Sequence, residues 1–310
     1  MPIAQLRSMG QTGQTLATFK LTTGASEAVN VTKLVITDTM GGTSTAATGS
    51  VTNLKLFNAS GTQIGSTVAS LDITAKATFD GLTYQIAKDK SETLTLKGDI
   101  NAYPNAVSGG THTFSIADSS TANVIASGAT TGTQLTGANI VVSSAAGTAQ
   151  TVYRSELTVT NAMSNMTGGA SSQQQIGKYT FTNTSAGNYA ITVSDFDLNI
   201  NSTLGAGTGT MTIKRDSPSG VTLATKTFNN ASLASVTSWD AAFTAFTIDA
   251  ANGTGSVDIY ILVDTSSFNA SAAKTISTSF GATGVTWTDG VSAGIANIDG
   301  APVYGSTITY

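Results

Sequence analysis

The sequence predicts an all-β chain made of two tandem immunoglobulin-like antiparallel β-sandwiches. Three observations point there: a composition of strand formers and turn formers, a period-two alternation in nearly every apolar segment, and a repeat spaced by about 160 residues. Thr (54) and Ser (35) make up about 29% of the 310 residues, and there are 32 Gly but only three Glu. β-branched residues pack well on a pleated surface, whereas helices lean on Glu, Lys and Leu, so the balance favours strands and turns.

The elements follow in order. The first half offers strand-like segments at 16–23, 29–38, 53–57, 62–67, 78–86, 92–100 and 111–118. The second half offers 178–183, 189–200, 210–215, 221–227, 242–249, 256–264, 274–280 and 285–289. Within them apolar and Thr/Ser residues alternate: Val257, Ile259, Ile261 and Val263 on one face, Leu94 and Leu96 on another. That is the pattern of a strand with one buried face. Gly, Asn and Asp sit at the joints, at Asn58–Gly61, Asp80-Gly81, Asn252-Gly253 and Asp289-Gly290, where they supply left-handed backbone and side-chain-capped turns. Landmarks recur at a steady offset: Phe19 and Phe181 are 162 apart, Leu96 and Ile259 163, Thr111 and Thr275 164. The halves read as two copies of one domain: an N-terminal arm at 1–12, a first sandwich at 13–142, a Ser/Gly/Ala-rich linker at 143–150 and a second sandwich at 151–310. Seven or eight strands per half suit a sandwich, with a jelly roll as the alternative. The first core is expected to hold Phe19, Leu34, Ile36, Leu54, Leu56, Leu94, Leu96, Phe114 and Ile116. The second is expected to hold Phe181, Ile191, Val193, Ile213, Phe246, Ile259, Ile261, Phe280 and Trp287.

Composition excludes several chemistries. There is no Cys and a single His, so thiolate catalysis, cysteine-ligated metals and disulfides are ruled out. Net charge is −4 with only 14 Lys and Arg, which leaves no basic footprint for nucleic acid. No stretch reads as membrane-spanning: the long uncharged run at 119–153 is full of Ser, Thr, Gly, Asn and Gln. His112 falls near the start of a strand; counted from Thr113 it lies on the face opposite Phe114, as a surface or loop-packed residue. Asp195 and Asp197, two apart on a strand, are the nearest approach to a carboxylate pair, but a glycosidase cleft is usually rich in aromatic residues, and the chain has two Trp. Asp249–Gly255 comes nearest to a Ca²⁺ loop and lacks its ligand spacing, so it reads as an Asn-Gly hairpin turn. No catalytic residue, metal ligand or cofactor is expected.

Three segments then carry a resemblance. Residues 19–34 (FKLTTGASEAVNVTKL), 51–67 (VTNLKLFNASGTQIGST) and 91–100 (SETLTLKGDI) resemble the immunoglobulin-like repeats of secreted prokaryotic surface proteins. The likeness covers the first repeat well and the second in outline. It implies a sandwich fold and an extracellular or cell-surface location, in proteins of surface-layer, filament or adhesin type, and it carries no active site.

Only 10% of residues are charged, against about 25% in ordinary soluble domains. Solvent faces of Thr, Ser, Gly and Asn can pack together with little charge desolvation. These features lead to the expectation of a non-enzymatic structural subunit of an extracellular polymer, whose partners are copies of itself joined by strand addition. The N-terminal arm, with Ile3, Leu6 and Met9, is the first candidate donor; the C-terminal segment, with Tyr304, Ile308 and Tyr310, is the second. A cell-surface adhesin or carbohydrate-binding module, or a virion surface protein, are the alternatives. Asn30, Asn58, Asn165, Asn183, Asn201, Asn230, Asn252 and Asn269 head N-x-[ST] sequences and are candidate glycosylation sites.

Overall fold

The computed structural model describes residues 5–43, 49–116, 120, 122–136, 139–142, 147–229, 243–268 and 273–310. The chain forms two compact units, Met1–Tyr153 and Arg154–Tyr310. Each is a β-sandwich.

In the first unit the strands are β1 (Gln5–Ser8), β2 (Gln14–Thr22), β3 (Val29–Gly42), β4 (Val51–Phe57), β5 (Gln63–Ser70), β6 (Lys76–Ile86), β7 (Ser91–Ile100), β8 (Gly110–Ile116), β9 (Val124–Gly128) and β10 (Gln150–Tyr153). One sheet runs β2-β7-β4-β5; the other runs β1-β10-β8-β3-β6, with β9 also on β3. Alternation puts Leu34 and Ile36 of β3, Leu54 and Leu56 of β4, Leu94 and Leu96 of β7 and Phe114 of β8 between the sheets, each at most 1% exposed. Ile116 is only partly buried against this core. Each fully buried side chain of this size contributes roughly 1.5–3 kcal/mol. The Asn58 turn behaves as expected: its Oδ1 accepts from the Ser60 and Thr62 amides at 3.1 and 2.8 Å, and Gly61 takes φ +79°.

In the second unit the strands are β11 (Glu156–Asn161), β12 (Met166–Thr167), β13 (Gln174–Thr184), β14 (Ile191–Ser202), β15 (Thr208–Arg215), β16 (Val221–Asn229), β17 (Phe246–Ile248), β18 (Thr254–Val263), β19 (Thr275–Thr288) and β20 (Val303–Thr309). The sheets are β11-β13-β18-β15-β16 and β12-β20-β19-β14-β17. Phe280 sits at the centre, with its ring 4.7 Å from Tyr179, 5.8 Å from Phe181 and 5.5 Å from Phe196. The Tyr179 hydroxyl meets Thr278 Oγ1 at 2.6 Å; burial pushes the phenol up to about 12 against the opposing pull of that bond. All nine residues expected in the second core are buried.

The two strand orders correspond. β1-β10-β8-β3-β6 matches β12-β20-β19-β14-β17, and β2-β7-β4-β5 matches β13-β18-β15-β16. β19 does the work of both β8 and β9: Thr275–Phe280 continues the sheet, and Val285–Thr288 pairs with the start of β14 as β9 does with β3. β11 has no counterpart among the described residues of the first unit.

Several expectations need correction. The boundary falls after Tyr153, because Gln150–Tyr153 is a strand of the first unit, paired with His112–Gly110; residues 143–146 of the expected linker lie outside the described residues. Residues 5–12 of the expected arm are not separate, since β1 is an edge strand of that same unit; residues 1–4 lie outside the described residues. The sheets are not wholly antiparallel: β1 runs parallel to β10, and β12 parallel to β20. Asp80-Gly81 is a bulge inside β6, with Gly81 at φ +64°, because the register against β3 slips there. Asn252-Gly253 is not a hairpin turn, since β17 and β18 belong to different sheets.

Phe280→Ala is expected to cost about 3–5 kcal/mol through the cavity it opens among three aromatic rings. Urea unfolding followed by tyrosine and tryptophan fluorescence measures it.

Candidate functional site

The one histidine is in the core. His112 and Phe114 share a strand face, two residues apart, so both point inward, and the expected surface position is corrected: His112 is 2% exposed. Its Nδ1 lies 2.6 Å from Asp38 Oδ2 on the neighbouring strand, and Asp38 Oδ1 accepts the Thr113 amide at 3.0 Å. The pair is walled in by the sandwich, with the Phe114 ring alongside. No group of three or more potential metal ligands occurs among the described residues. Asp197 is exposed and Asp195 half-buried on β14. The His112–Asp38 contact ties β8 to β3 inside the sandwich.

On the outer face of the second unit, Lys178 Nζ meets Asp258 Oδ2 at 2.8 Å, and Thr180 Oγ1 donates to Asp258 Oδ1 at 2.7 Å. Burial pushes the Asp258 carboxyl up, but the bonds from Lys178 and Thr180 and the Lys178 charge together hold it below its usual value. The bond to Asp258 holds the Lys178 ammonium above its usual value.

The sequence-expected assembly residues are folded into their own units. Leu6 and Met9 are buried, and Met9 clusters with Ile100, Ala106 and Val152. Arg7 fastens β1 by donating from Nε to Gln150 Oε1 at 3.2 Å, from Nη1 to Gln14 Oε1 at 3.2 Å and from Nη2 to the Thr15 carbonyl at 3.0 Å. Ile308 is fully buried, Tyr304 is 73% exposed and Tyr310 is half-buried. Ile3 lies outside the described residues.

Of the candidate glycosylation sites, Asn165, Asn201 and Asn252 are exposed, while Asn30 and Asn58 are half-buried. Asn183 is buried with its Nδ2 donating to the Tyr189 and Ile248 carbonyls, both at 2.9 Å, so a glycan there is excluded. Asn230 and Asn269 lie outside the described residues.

Among the described residues the sheets end at β1, β2, β5, β6, β11, β12, β16 and β17 with no strand on the outer side, and the β2 edge adjoins a slot. β2 pairs with β7 on one side, and among the described residues no strand pairs with its other side. The Thr23 amide donates to the Lys90 carbonyl at 3.0 Å. In an antiparallel ladder the inward and outward pairs alternate, so the N–H and C=O of Thr22, Lys20 and Thr18 point away from β7. Beside the end of this edge lies a slot of about 220 Å³ with mixed walls: Leu21, Val31, Leu34, Ile86, Val124 and Ala126 are its apolar part, and Lys20, Thr22, Thr23 and residues 139–142 also line it. Leu21, Val29, Ile116, Val124 and Leu135 around it are only partly buried. A row of backbone groups that no described residue pairs, beside a slot with an apolar part, is a template for an added strand. Sequence reasoning missed this edge because Lys20–Thr22 read as an ordinary strand. The available signal was Ala126, which stands at the repeat position that Trp287 occupies in the second unit.

No family model and no curated protein sequence matches the chain. Among solved structures it is similar to the CupB6 tip adhesin of Pseudomonas aeruginosa, at 10% identity over 97% of this chain and 92% of that one, with a TM-score of 0.27. It is also similar to the C-terminal domain of the AgI/II polypeptide BspA of Streptococcus agalactiae, at 11% identity over 97% and 95%, with a TM-score of 0.22. At such values no functional argument follows from the likeness.

Asp38→Leu strands His112 in the core and is expected to cost about 2–5 kcal/mol, with Asp38→Asn costing less because an acceptor remains; denaturant midpoints separate the two. The Lys178–Asp258 pair sets a second expectation. Asp258 supports folding fully above its ordinary value of 3.8, and that support is lost as pH falls through the lower folded value. Lys178 supports it fully below 10.5, with loss as pH rises through the higher folded value. The pair is partly exposed, so its worth is at most about 1 kcal/mol. Asp258→Asn therefore narrows the stability difference between pH 7 and pH 2 by no more than that amount, as read from melting curves.

Proposed function

We propose that this chain is a non-enzymatic structural subunit of an extracellular polymer, a filament, tube or surface lattice, in which copies join by β-strand addition. The observation that carries the reading is the open outer edge of β2 with its adjoining slot. Two features support it. Surfaces poor in charge come together with little desolvation of ions. Contacts between unlike patches of identical copies leave a patch unused at each end, and they propagate where the rotation between copies does not close a ring. The described parts of the chain ends, the donors expected from sequence, are engaged within their own units, whereas among the described residues no strand pairs with the outer side of β2. Removing residues 1–12 would take away Met9 and uncover Ile100 and Val152, which makes that deletion a test of stability more than of assembly.

The purified chain is expected to form regular polymers as concentration rises, seen by negative-stain microscopy and light scattering. With so few charges to screen, assembly should persist in 1 M salt, where the Debye length is about 3 Å. A chain that stays a single particle at every concentration overturns the reading.

A further inference from the structure

The two units differ by one strand, and the difference falls at the open edge. In the second unit β11 covers the outer side of β13: Glu156 lies opposite Thr184, Leu157 opposite Asn183, Val159 opposite Phe181 and Asn161 opposite Tyr179. Leu157 and Val159 are buried, at 0% and 2% exposure. β13 corresponds to β2 at an offset of 162, which matches Phe181 to Phe19, Asn183 to Leu21 and Thr184 to Thr22. A strand placed on β2 as β11 lies on β13 would therefore pair with Ala17–Thr22. It would send one apolar side chain in beside Phe19 and another beside Leu21, where the slot is.

The residues around that place support the comparison. The second-unit positions that match the slot lining are Val193, Phe196, Ile248, Val285, Trp287 and Ile295, all at most 4% exposed. Their counterparts in the first unit include the partly buried Val124 and Leu135. Ala126 replaces the indole of Trp287, and among the described residues no strand supplies a counterpart of Leu157. The alternation derived from Thr23 agrees as well. The Ala162 amide donates to the Lys178 carbonyl at 2.8 Å, which makes Thr180, Thr182 and Thr184 the residues bonded to β11. They match Thr18, Lys20 and Thr22, the residues whose backbone groups are free.

We infer that the first unit is a sandwich lacking its first strand, and that the β2 edge with its slot accepts an extended segment of a second copy of this chain, two apolar side chains entering at alternate positions. This rests on the polymer reading above and gives it an acceptor site. The choice of a second copy has two grounds. A segment of fitting chemistry, Glu156–Asn161, belongs to this chain's own repeat, where it is itself seated on β13, so a second copy can present it only by releasing it from there. Lys20 is the one charged residue along Ala17–Thr22, so a like surface meets little repulsion.

The test uses the full chain. A synthetic peptide of residues 154–162 (RSELTVTNA) is titrated onto dilute, unassembled protein. It should bind and slow amide exchange at Thr18–Thr22, and a peptide with Asp at the Leu157 and Val159 positions should bind at least tenfold more weakly. Polymerised protein should show the same slowed amides without peptide. Lys20→Pro removes an outward N–H that the β2–β7 ladder does not use, a change edge strands tolerate. It should keep the circular dichroism of the parent, lose peptide affinity at least tenfold and fail to polymerise. Thr22→Pro, at the other outward position, serves should Lys20→Pro not fold. Polymers in which Thr18–Thr22 exchange as fast as in dilute protein, or proline variants that polymerise like the parent, overturn the acceptor site while leaving the polymer reading standing. Peptide binding at β2 in a chain that never polymerises overturns the second copy as occupant, and with it the polymer reading, and leaves the edge to a strand of another protein.

Discussion

A β-sheet ends in backbone groups that have lost water on one side and have no partner on the other. Every feature of this chain can be read as a way of dealing with those ends. Six-residue β11 closes one edge of the second unit, and β12 covers the last two residues of β20. In the first unit four-residue β1 closes β10, with Arg7 pinning it to Gln150, Gln14 and the Thr15 carbonyl. β2 is left uncovered. Because the neighbouring apolar residues are packed less tightly than their repeat partners, the unpaired edge and the incomplete core are one vacancy seen from two sides.

This asymmetry explains why two units with the same strand order differ in character. The second has a continuous aromatic centre, with Phe280 touching three rings and Trp287 sealed by its Nε1 bond to the Asn297 carbonyl at 2.9 Å. The first packs mostly aliphatic side chains around Phe19, Phe79 and Phe114, with a buried His112–Asp38 pair and a slot. A polar pair in a core favours one arrangement of strands over its alternatives only when its partners are satisfied. Here the Thr113 amide and the His112 ring satisfy both oxygens of Asp38.

Much of the fold was legible because period-two alternation and turn chemistry are local. Phe19, Leu34, Leu94, Leu96, Ile259, Ile261 and Phe280 all lie where alternation puts them. The duplication was legible because side chains such as Phe19 and Phe181 keep their spacing. Short edge strands were not. Gln5–Ser8 and Gln150–Tyr153 are four residues each, too few to show a period, and their parallel pairing joins segments far apart in sequence. The Asn252-Gly253 turn was misread because a left-handed turn looks the same whether the chain folds back in one sheet or crosses to another. His112 was misplaced by counting alternation from the wrong neighbour. The vacancy at β2 was out of reach for a different reason: it becomes visible only when one repeat is laid against the other.

The parallel pair formed by the first and last strands of the first unit has a mechanical consequence, and β12 with β20 repeats that pairing in the second. β1 and β10 run the same way side by side, as do β12 and β20. A pull on the two ends of such a pair drags the strands past each other lengthwise, so their cross-links are strained together. Were the pair antiparallel with the load at one end, the links would open one after another. Four registered pairs hold β1 to β10, and Met9 plugs the end of that seam. Tension along the backbone thus meets its stiffest geometry at the first place it arrives.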